Sequence, residues 1–128
     1  MRLYLVRHAE AAPGDPDELR RLTPSGRAAA RDLGRKLAED EPDAVLASPL
    51  LRARETAEEI ARAAGVEVEP DDRLSPGATA KDVLDAVAGR GERVVVVGHQ
   101  PDCGRIAVAL GAGDEPAFPP AGVFVTEL

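Results

Sequence analysis

The stretch Arg93–His99, with the sequence RVVVVGH, contains four consecutive valines. Apolar β-branched residues that face both sides of a strand are typical of a strand buried between two layers. The run therefore predicts a central strand of a mainly parallel sheet. Leu3–Val6 (LYLV), near the beginning of the chain, is a second short apolar run of the same kind.

Strands and helices alternate outward from these two runs. A Thr or Ser followed by Pro is typical of a helix start, with the hydroxyl as N-cap and Pro in the first turn. A glycine after an apolar stripe is typical of a helix end. We predict strands at Leu3–Val6, Asp43–Ala47, Val66–Glu69, Val94–Val97 and Val123–Glu127, a loop at Ala11–Glu18, and helices from Thr23-Pro24, from Ser48-Pro49 to Ala64, over Lys81–Ala88 and from Pro101 to Leu110. This order predicts a three-layer α/β/α fold with a mainly parallel sheet.

Composition limits the possible functions. A chain of 128 residues is predicted to form one domain, residues 1–128. The net charge of −7 and the three aromatic rings disfavour nucleic acid as a partner. The one cysteine, Cys103, excludes an internal disulfide and is expected to be a small buried side chain. With no long apolar segment in the sequence, we expect a cytoplasmic monomer without a membrane partner.

Both histidines of the chain follow predicted parallel strands. His8 comes directly after the first strand, next to Arg7, and His99 comes after the four valines. Ligands of parallel α/β sheets bind at the carboxyl ends of the strands, so this edge is the candidate site. Arg52 falls in the first turn of the helix after Ser48, although its position alone slightly favours an ordinary solvated helix residue.

Four segments together resemble motifs of the histidine phosphatase superfamily, which has the phosphoglycerate mutase-like fold. They occur in the family's order, and the region from the first to the last of them, residues 5–101, is about three-quarters of the chain. The segments are Leu5–Glu10 (LVRHAE), Leu22–Gly26 (LTPSG), Ser48–Ala57 (SPLLRARETA) and Val97–Pro101 (VGHQP). The resemblance implies a phosphatase whose His8 attacks phosphorus and becomes a phosphohistidine.

The same resemblance implies roles for the other site residues. Arg7 and Arg52 would bind the phosphoryl oxygens, and His99 would donate to one of them. Arg20 is our choice for a third phosphate-binding arginine, with Arg21 as the alternative. No cofactor or metal is implied, and a neutral imidazole can act as a nucleophile near pH 7 without either.

The chain departs from larger family members in one respect. Those members carry an acid that protonates the leaving oxygen in an inserted segment after the third strand, whereas Arg73–Gly77 contains no Asp or Glu. Glu10 is the carboxylate nearest to His8 in sequence and is our candidate for the proton donor. The short form without a large lid insertion resembles the bacterial SixA-type phosphohistidine phosphatases. A phosphohistidine leaves as imidazole and needs no strong acid, so we expect a phosphorylated protein as the substrate.

Two alternatives remain open at this point. The enzyme could act on a small phosphate ester, such as a sugar or nucleotide phosphate, or the chain could be a catalytically idle phosphate-binding module. A mutase is disfavoured because retaining the phosphoryl group requires a closed, dry site. No nucleophile-elbow or P-loop motif occurs, which argues against serine hydrolases and P-loop NTPases.

Overall fold

The computed structural model describes all residues 1–128 and contains a five-stranded sheet with helices on both faces. None of the helices combines the length and the apolar character needed to cross a membrane. The strands are β1 (Arg2–Arg7), β2 (Ala44–Ala47), β3 (Val68–Pro70), β4 (Arg93–Gly98) and β5 (Val123–Glu127). The helices are α1 (Pro24–Ala38), α2 (Leu51–Ala64), α3 (Ala80–Val87) and α4 (Asp102–Ala109), and two 3-10 turns lie at Asp17–Leu19 and Asp72–Leu74.

The four valines of β4 divide the core into two layers. Val95 and Val97 pack in the apolar cluster formed with α1 and α2, and Val94 and Val96 pack in the cluster formed with α3 and α4. All four side chains are almost completely buried. The predicted three-layer α/β/α fold is therefore confirmed, and no large lid is inserted.

The order of the strands brings the candidate site residues to one edge. The sheet order is β3-β2-β4-β1-β5, and only β5 is antiparallel to its neighbour. Val97 of β4 lies level with Val6 of β1 on one side and with Ala47 of β2 on the other. The residues that follow these three strands consequently meet at the carboxyl edge of the sheet.

The start of α1 is as predicted, whereas the start of α2 is not. Thr23 caps α1 by accepting a hydrogen bond from the N–H of Gly26 at 3.0 Å. The Ser48-Pro49 pair was predicted to open α2 in the same way, but the helix begins at Leu51 and its N-cap Leu50 has no side-chain cap. The hydroxyl of Ser48 is engaged with a histidine of the candidate site instead.

The third strand begins two residues later than predicted. The helix before it ends at Gly65, which adopts a left-handed conformation with φ 75°. The N–H of Val66 then bonds back to the carbonyl of Ala61 at 3.0 Å, so Val66 belongs to the helix terminus and β3 starts at Val68. The predicted helices at Lys81–Ala88 and Pro101–Leu110 each differ from the observed helices by one residue at both ends.

Candidate active site

His8 follows β1 and is held in one tautomer by its own neighbour. Its Nδ1 lies 2.7 Å from the carbonyl oxygen of Ala9. A carbonyl oxygen can only accept, so Nδ1 carries the proton of the neutral ring and donates it. The lone pair is left on Nε2, which makes Nε2 the nucleophilic nitrogen.

A buried threonine on α2 fixes the loop that carries Ala9. The N–H of Ala9 donates to Thr56 Oγ1 at 3.0 Å, and this hydroxyl donates to the carbonyl of Arg52 at 2.9 Å. The adjacent Glu55 accepts a hydrogen bond from the N–H of Leu22 at 2.8 Å, next to the segment that holds Arg20. Helix α2 thus supports two loops of the site while it carries Arg52.

His99 lies against His8, with ring centroids 5.3 Å apart. It is only 4% exposed, and its Nε2 lies 2.7 Å from the hydroxyl of the completely buried Ser48. Ser48 Oγ also accepts from the N–H of Leu50 at 3.3 Å, and His99 Nε2 is the one acceptor that the buried Ser48 hydroxyl proton meets, so the hydroxyl donates to Nε2. The ring proton of His99 then resides on Nδ1, a buried nitrogen without a protein partner.

The side chain of Arg7 is partly buried and that of Arg52 is buried. Arg7 donates from Nη1 to the carbonyl of Phe118 at 2.9 Å, while its buried Nε has no protein partner. Arg52 is buried, whereas its position in the sequence slightly favours a solvated residue. A buried guanidinium is stable only when it is paired, and Arg52 donates to the backbone and the carboxylate of Asp17.

Of the two candidate arginines before α1, the geometry favours Arg20. Its Nε donates to the carbonyl of Ala12 at 2.9 Å, and its charge reaches His8 strongly enough to act on the pKa of that ring. Arg21 is exposed, and its side chain makes no hydrogen bond within the protein. The structure therefore brings together His8, Arg7, Arg20, Arg52 and His99.

Sequence reasoning missed three residues that shape this site. From the sequence, Asp17 lies in a predicted loop without a role, Ser48 has the context of a helix cap, and Thr56 belongs to a motif without a function of its own. Asp17 could not be found because its contact with Arg52 joins segments 35 residues apart in the chain. For Ser48, one signal is available in the sequence. It directly follows a predicted strand, as His8 and His99 do, and so belongs to the same edge of the sheet.

Burial and neighbouring cations keep both histidines neutral near pH 7. The pKa of His8 is lowered chiefly by burial and further by the charges of Arg52, Arg7 and Arg20, against the bond to Ala9. Burial, with the charges of His8 and Arg52, lowers the pKa of His99 to about 4. A neutral His8 is available as a nucleophile, and a neutral His99 retains one donor, Nδ1–H.

The lowered pKa of His99 predicts a loss of stability in acid. Between its ordinary pKa of 6.5 and about 4, the unfolded chain binds a proton at His99 and the folded chain does not. The contribution of His99 to the free energy of unfolding is therefore complete above pH 6.5. It falls as the pH drops toward 4, by up to about 3 kcal/mol. Denaturant unfolding of wild type and His99→Gln across this range measures the effect. The variant should have the flatter profile, and equal slopes would contradict the prediction.

Glu10 does not have the environment of a proton donor. Its carboxylate accepts hydrogen bonds from Thr23 Oγ1 at 2.6 Å and Ser25 Oγ at 2.9 Å, and these bonds lower its pKa. A carboxyl that donates a proton near pH 7 needs a raised pKa. The structure thus argues against Glu10 as the proton donor, and its carboxylate instead bonds to the start of α1.

Two further observations limit the chemistry of the chain. The thiol of Cys103 is buried in the core, and burial raises its pKa to about 12, as expected for a small apolar side chain. No three His, Cys, Asp or Glu side chains lie close enough together to hold a metal ion.

The chemistry available at the carboxyl edge is that of an imidazole nucleophile surrounded by three guanidinium groups and a second imidazole donor. This set is suited to a tetrahedral anion such as a phosphoryl group.

Comparisons with known proteins agree with this geometry. The model of the histidine phosphatase superfamily (branch 1) matches residues 3–76, more than half of the chain. The protein histidine phosphatase SixA in complex with tungstate is similar in structure, with a TM-score of 0.88 and 27% identity over 100% of this chain and 88% of that one. A candidate phosphohistidine phosphatase SixA from Agrobacterium tumefaciens has a TM-score of 0.82 and 30% identity over 98% and 90%. An uncharacterized protein of Picosynechococcus is 35% identical over 88% of this chain and 74% of its own.

Proposed function

This chain belongs to the histidine phosphatase superfamily, and we propose that it removes phosphate from phosphohistidine on other proteins, without a metal, through a phosphoenzyme formed on His8. It is a phosphatase, and among its structural neighbours are SixA phosphohistidine phosphatases. In this proposal residues 1–128 form one histidine phosphatase domain that acts as a cytoplasmic monomer. The hydrogen bond from His8 Nδ1 to the carbonyl of Ala9 carries the proposal, because it leaves the lone pair on Nε2.

In the first step, His8 Nε2 attacks the phosphorus of a phosphohistidine that is protonated on its far ring nitrogen. The bond from Nε2 to phosphorus forms as the bond from phosphorus to the substrate nitrogen breaks. The electron pair of the broken bond returns to the substrate ring, which leaves as neutral imidazole with its proton still on the far nitrogen. An imidazole leaving group of this kind requires no general acid, which fits the unfavourable environment of Glu10.

Positive charge around His8 supports the transfer. Arg7, Arg20 and Arg52 supply guanidinium groups that match the oxygens of a phosphoryl group. Nδ1–H of His99 and Nε–H of Arg7 are buried donors without protein partners, and each costs about 1–3 kcal/mol while unpaired. Phosphoryl oxygens would satisfy such donors and offset their desolvation, which is the usual basis of transition-state stabilisation in phosphoryl transfer.

In the second step, water attacks the phosphoenzyme. The oxygen of water bonds to phosphorus as the bond to His8 Nε2 breaks, and the electron pair returns to Nε2. Both protons of the water leave on dihydrogen phosphate, which releases one of them to solvent. His8 regains its original state, with the proton on Nδ1 throughout, so the hydrogen bond to the carbonyl of Ala9 persists through both steps.

Release of inorganic phosphate tests the substrate and the metal requirement together. Wild-type protein, with and without a chelator, is given a phosphohistidine-bearing protein, p-nitrophenyl phosphate and a panel of sugar and nucleotide phosphates. We expect kcat/KM to be highest for the phosphohistidine protein and unchanged by the chelator. A higher kcat/KM for a small ester would make that ester class the substrate, and loss of activity with the chelator would contradict metal independence. No release from any substrate would favour an idle binding module.

A further inference from the structure

The carboxylate of Asp17 bridges two of the arginines that surround His8. Its Oδ1 accepts from Arg20 Nη1 at 3.2 Å, and its Oδ2 accepts from Arg52 Nη2 at 3.2 Å. Arg52 Nη1 also donates to the backbone carbonyl of Asp17 at 3.0 Å. An acid is thus built into a site otherwise composed of cations and neutral imidazoles, and nothing in the phosphoryl chemistry described above uses it.

Asp17 occupies the solvent side of these cations. Its side chain is 58% exposed, whereas the side chain of Arg52 is 9% exposed. The charge of Asp17 reaches the interior of the site, because it acts on the pKa of His99 in the direction opposite to that of Arg52. A substrate carried on another protein enters from the solvent side, where this exposed carboxylate is available to contact the leaving group.

Resting on the proposed function, we propose that Asp17 is a specificity-determining residue that selects substrates by the charge of the leaving group. A phosphohistidine protonated on its far nitrogen presents an imidazolium N–H, which a carboxylate can accept. An ester whose leaving group is anionic would instead place a second negative charge next to Asp17. Like charges in contact at a binding site are strongly unfavourable, and opposite charges favour association.

Asp17 acts in this proposal by accepting a hydrogen bond and takes up no proton. The imidazolium proton stays on the substrate ring while the bond between phosphorus and nitrogen breaks, and the electron pair goes to that nitrogen. The carboxylate favours the protonated form of the substrate, which is the form with the better leaving group. The hydrogen bonds from Arg20 and Arg52 keep Asp17 ionised, because they lower its pKa.

The charge of Asp17 can be removed while its shape is kept. We would compare wild type and Asp17→Asn by kcat/KM on four substrates: the phosphohistidine protein, p-nitrophenyl phosphate, phosphocholine with a cationic leaving group, and phosphoglycerate with an anionic one. In Asp17→Asn, the preference for the phosphohistidine protein over p-nitrophenyl phosphate should fall about tenfold, and so should the preference for phosphocholine over phosphoglycerate. Glu18→Gln is the matched control, because Glu18 is the next residue, is exposed and makes no side-chain hydrogen bond. It should leave both preferences unchanged.

Two outcomes would overturn the role of Asp17. An equal loss of kcat/KM on all four substrates would mean that the residue only holds Arg20 and Arg52 in place, and unchanged preferences would mean that its charge is not sensed. The proposed function fails separately, if wild type does not hydrolyse the phosphohistidine protein. In that case the comparison of phosphocholine with phosphoglycerate still tests the role of Asp17. The ratio of their kcat/KM values depends on the charge of the leaving group and involves no phosphohistidine.

Discussion

Replacing His8 with alanine should reduce turnover by about 10⁴-fold or more, because it removes the nitrogen that accepts the phosphoryl group in the proposed mechanism. The nucleophilic Nε2 has no substitute nearby. His99, the other imidazole of the site, is 4% exposed and its Nε2 is engaged with Ser48. Water alone would have to attack the substrate directly, with only the arginines to stabilise the transition state.

The His8→Ala experiment has two measurements and a control. Steady-state phosphate release gives the loss of turnover, and intact mass after rapid quenching detects the phosphoryl adduct, which wild type should accumulate and the variant should lack. The control is thermal unfolding, since the ring makes a single hydrogen bond, to the backbone of Ala9, and its removal should leave the fold intact. A folded His8→Ala protein that turns over at the wild-type rate would eliminate the phosphohistidine mechanism.

Replacing Arg52 with alanine should lower kcat/KM by about 10²- to 10³-fold, the usual cost of removing one preorganised group that stabilises the transition state. The guanidinium is buried and carries its charge next to His8, where it also lowers the pKa of the imidazole. A lysine at this position should restore little of the activity, because an ammonium group cannot make the paired contacts of a planar guanidinium. Loss of the Arg52 guanidinium also leaves the carboxylate of Asp17 with one partner, Arg20.

Arg62→Ala is the matched control for Arg52→Ala. Both arginines are on α2, but the side chain of Arg62 is 70% exposed and pairs with Glu59, away from the histidines. Activity of Arg62→Ala should remain close to that of wild type. Kinetics on the phosphohistidine protein and equilibrium binding of tungstate together test the prediction. Tungstate binding that is equally strong in both variants would show that Arg52 does not bind the oxyanion.

Much of the fold could be predicted from local sequence patterns. Four consecutive valines can be buried on both faces only in an inner strand, and Thr23-Pro24 can begin a helix from local hydrogen bonding alone. Gly26 is explained only by the structure, because a Cβ at this position would lie 2.1 Å from the carbonyl oxygen of Glu10. The motif residue is thus required by a contact between the loop after β1 and the first turn of α1.

The site residues show the same division: the sequence places some of them, and only the structure explains their contacts. His8 and His99 could be placed because each directly follows a strand, and parallel strands end at one edge. The partners of these residues were beyond prediction. Ser48 has the sequence context of a helix cap, yet its hydroxyl lies 2.7 Å from His99 Nε2, across 51 residues of chain. Glu10 is close to His8 in sequence, but its carboxylate is held at the start of α1 by Thr23.

The sequence by itself determined the layers of this protein, the strand ends that carry its two histidines, and the family whose motifs those residues belong to. These features depend on side-chain periodicity and on short-range hydrogen bonding, which are properties of neighbouring residues. Only the tertiary structure decided which nitrogen of His8 holds the lone pair, why Arg52 is buried, and where Asp17 directs its charge. A hydrogen bond or an ion pair depends on distances of a few ångströms between segments, and those distances exist only once the sheet has brought the strand ends together.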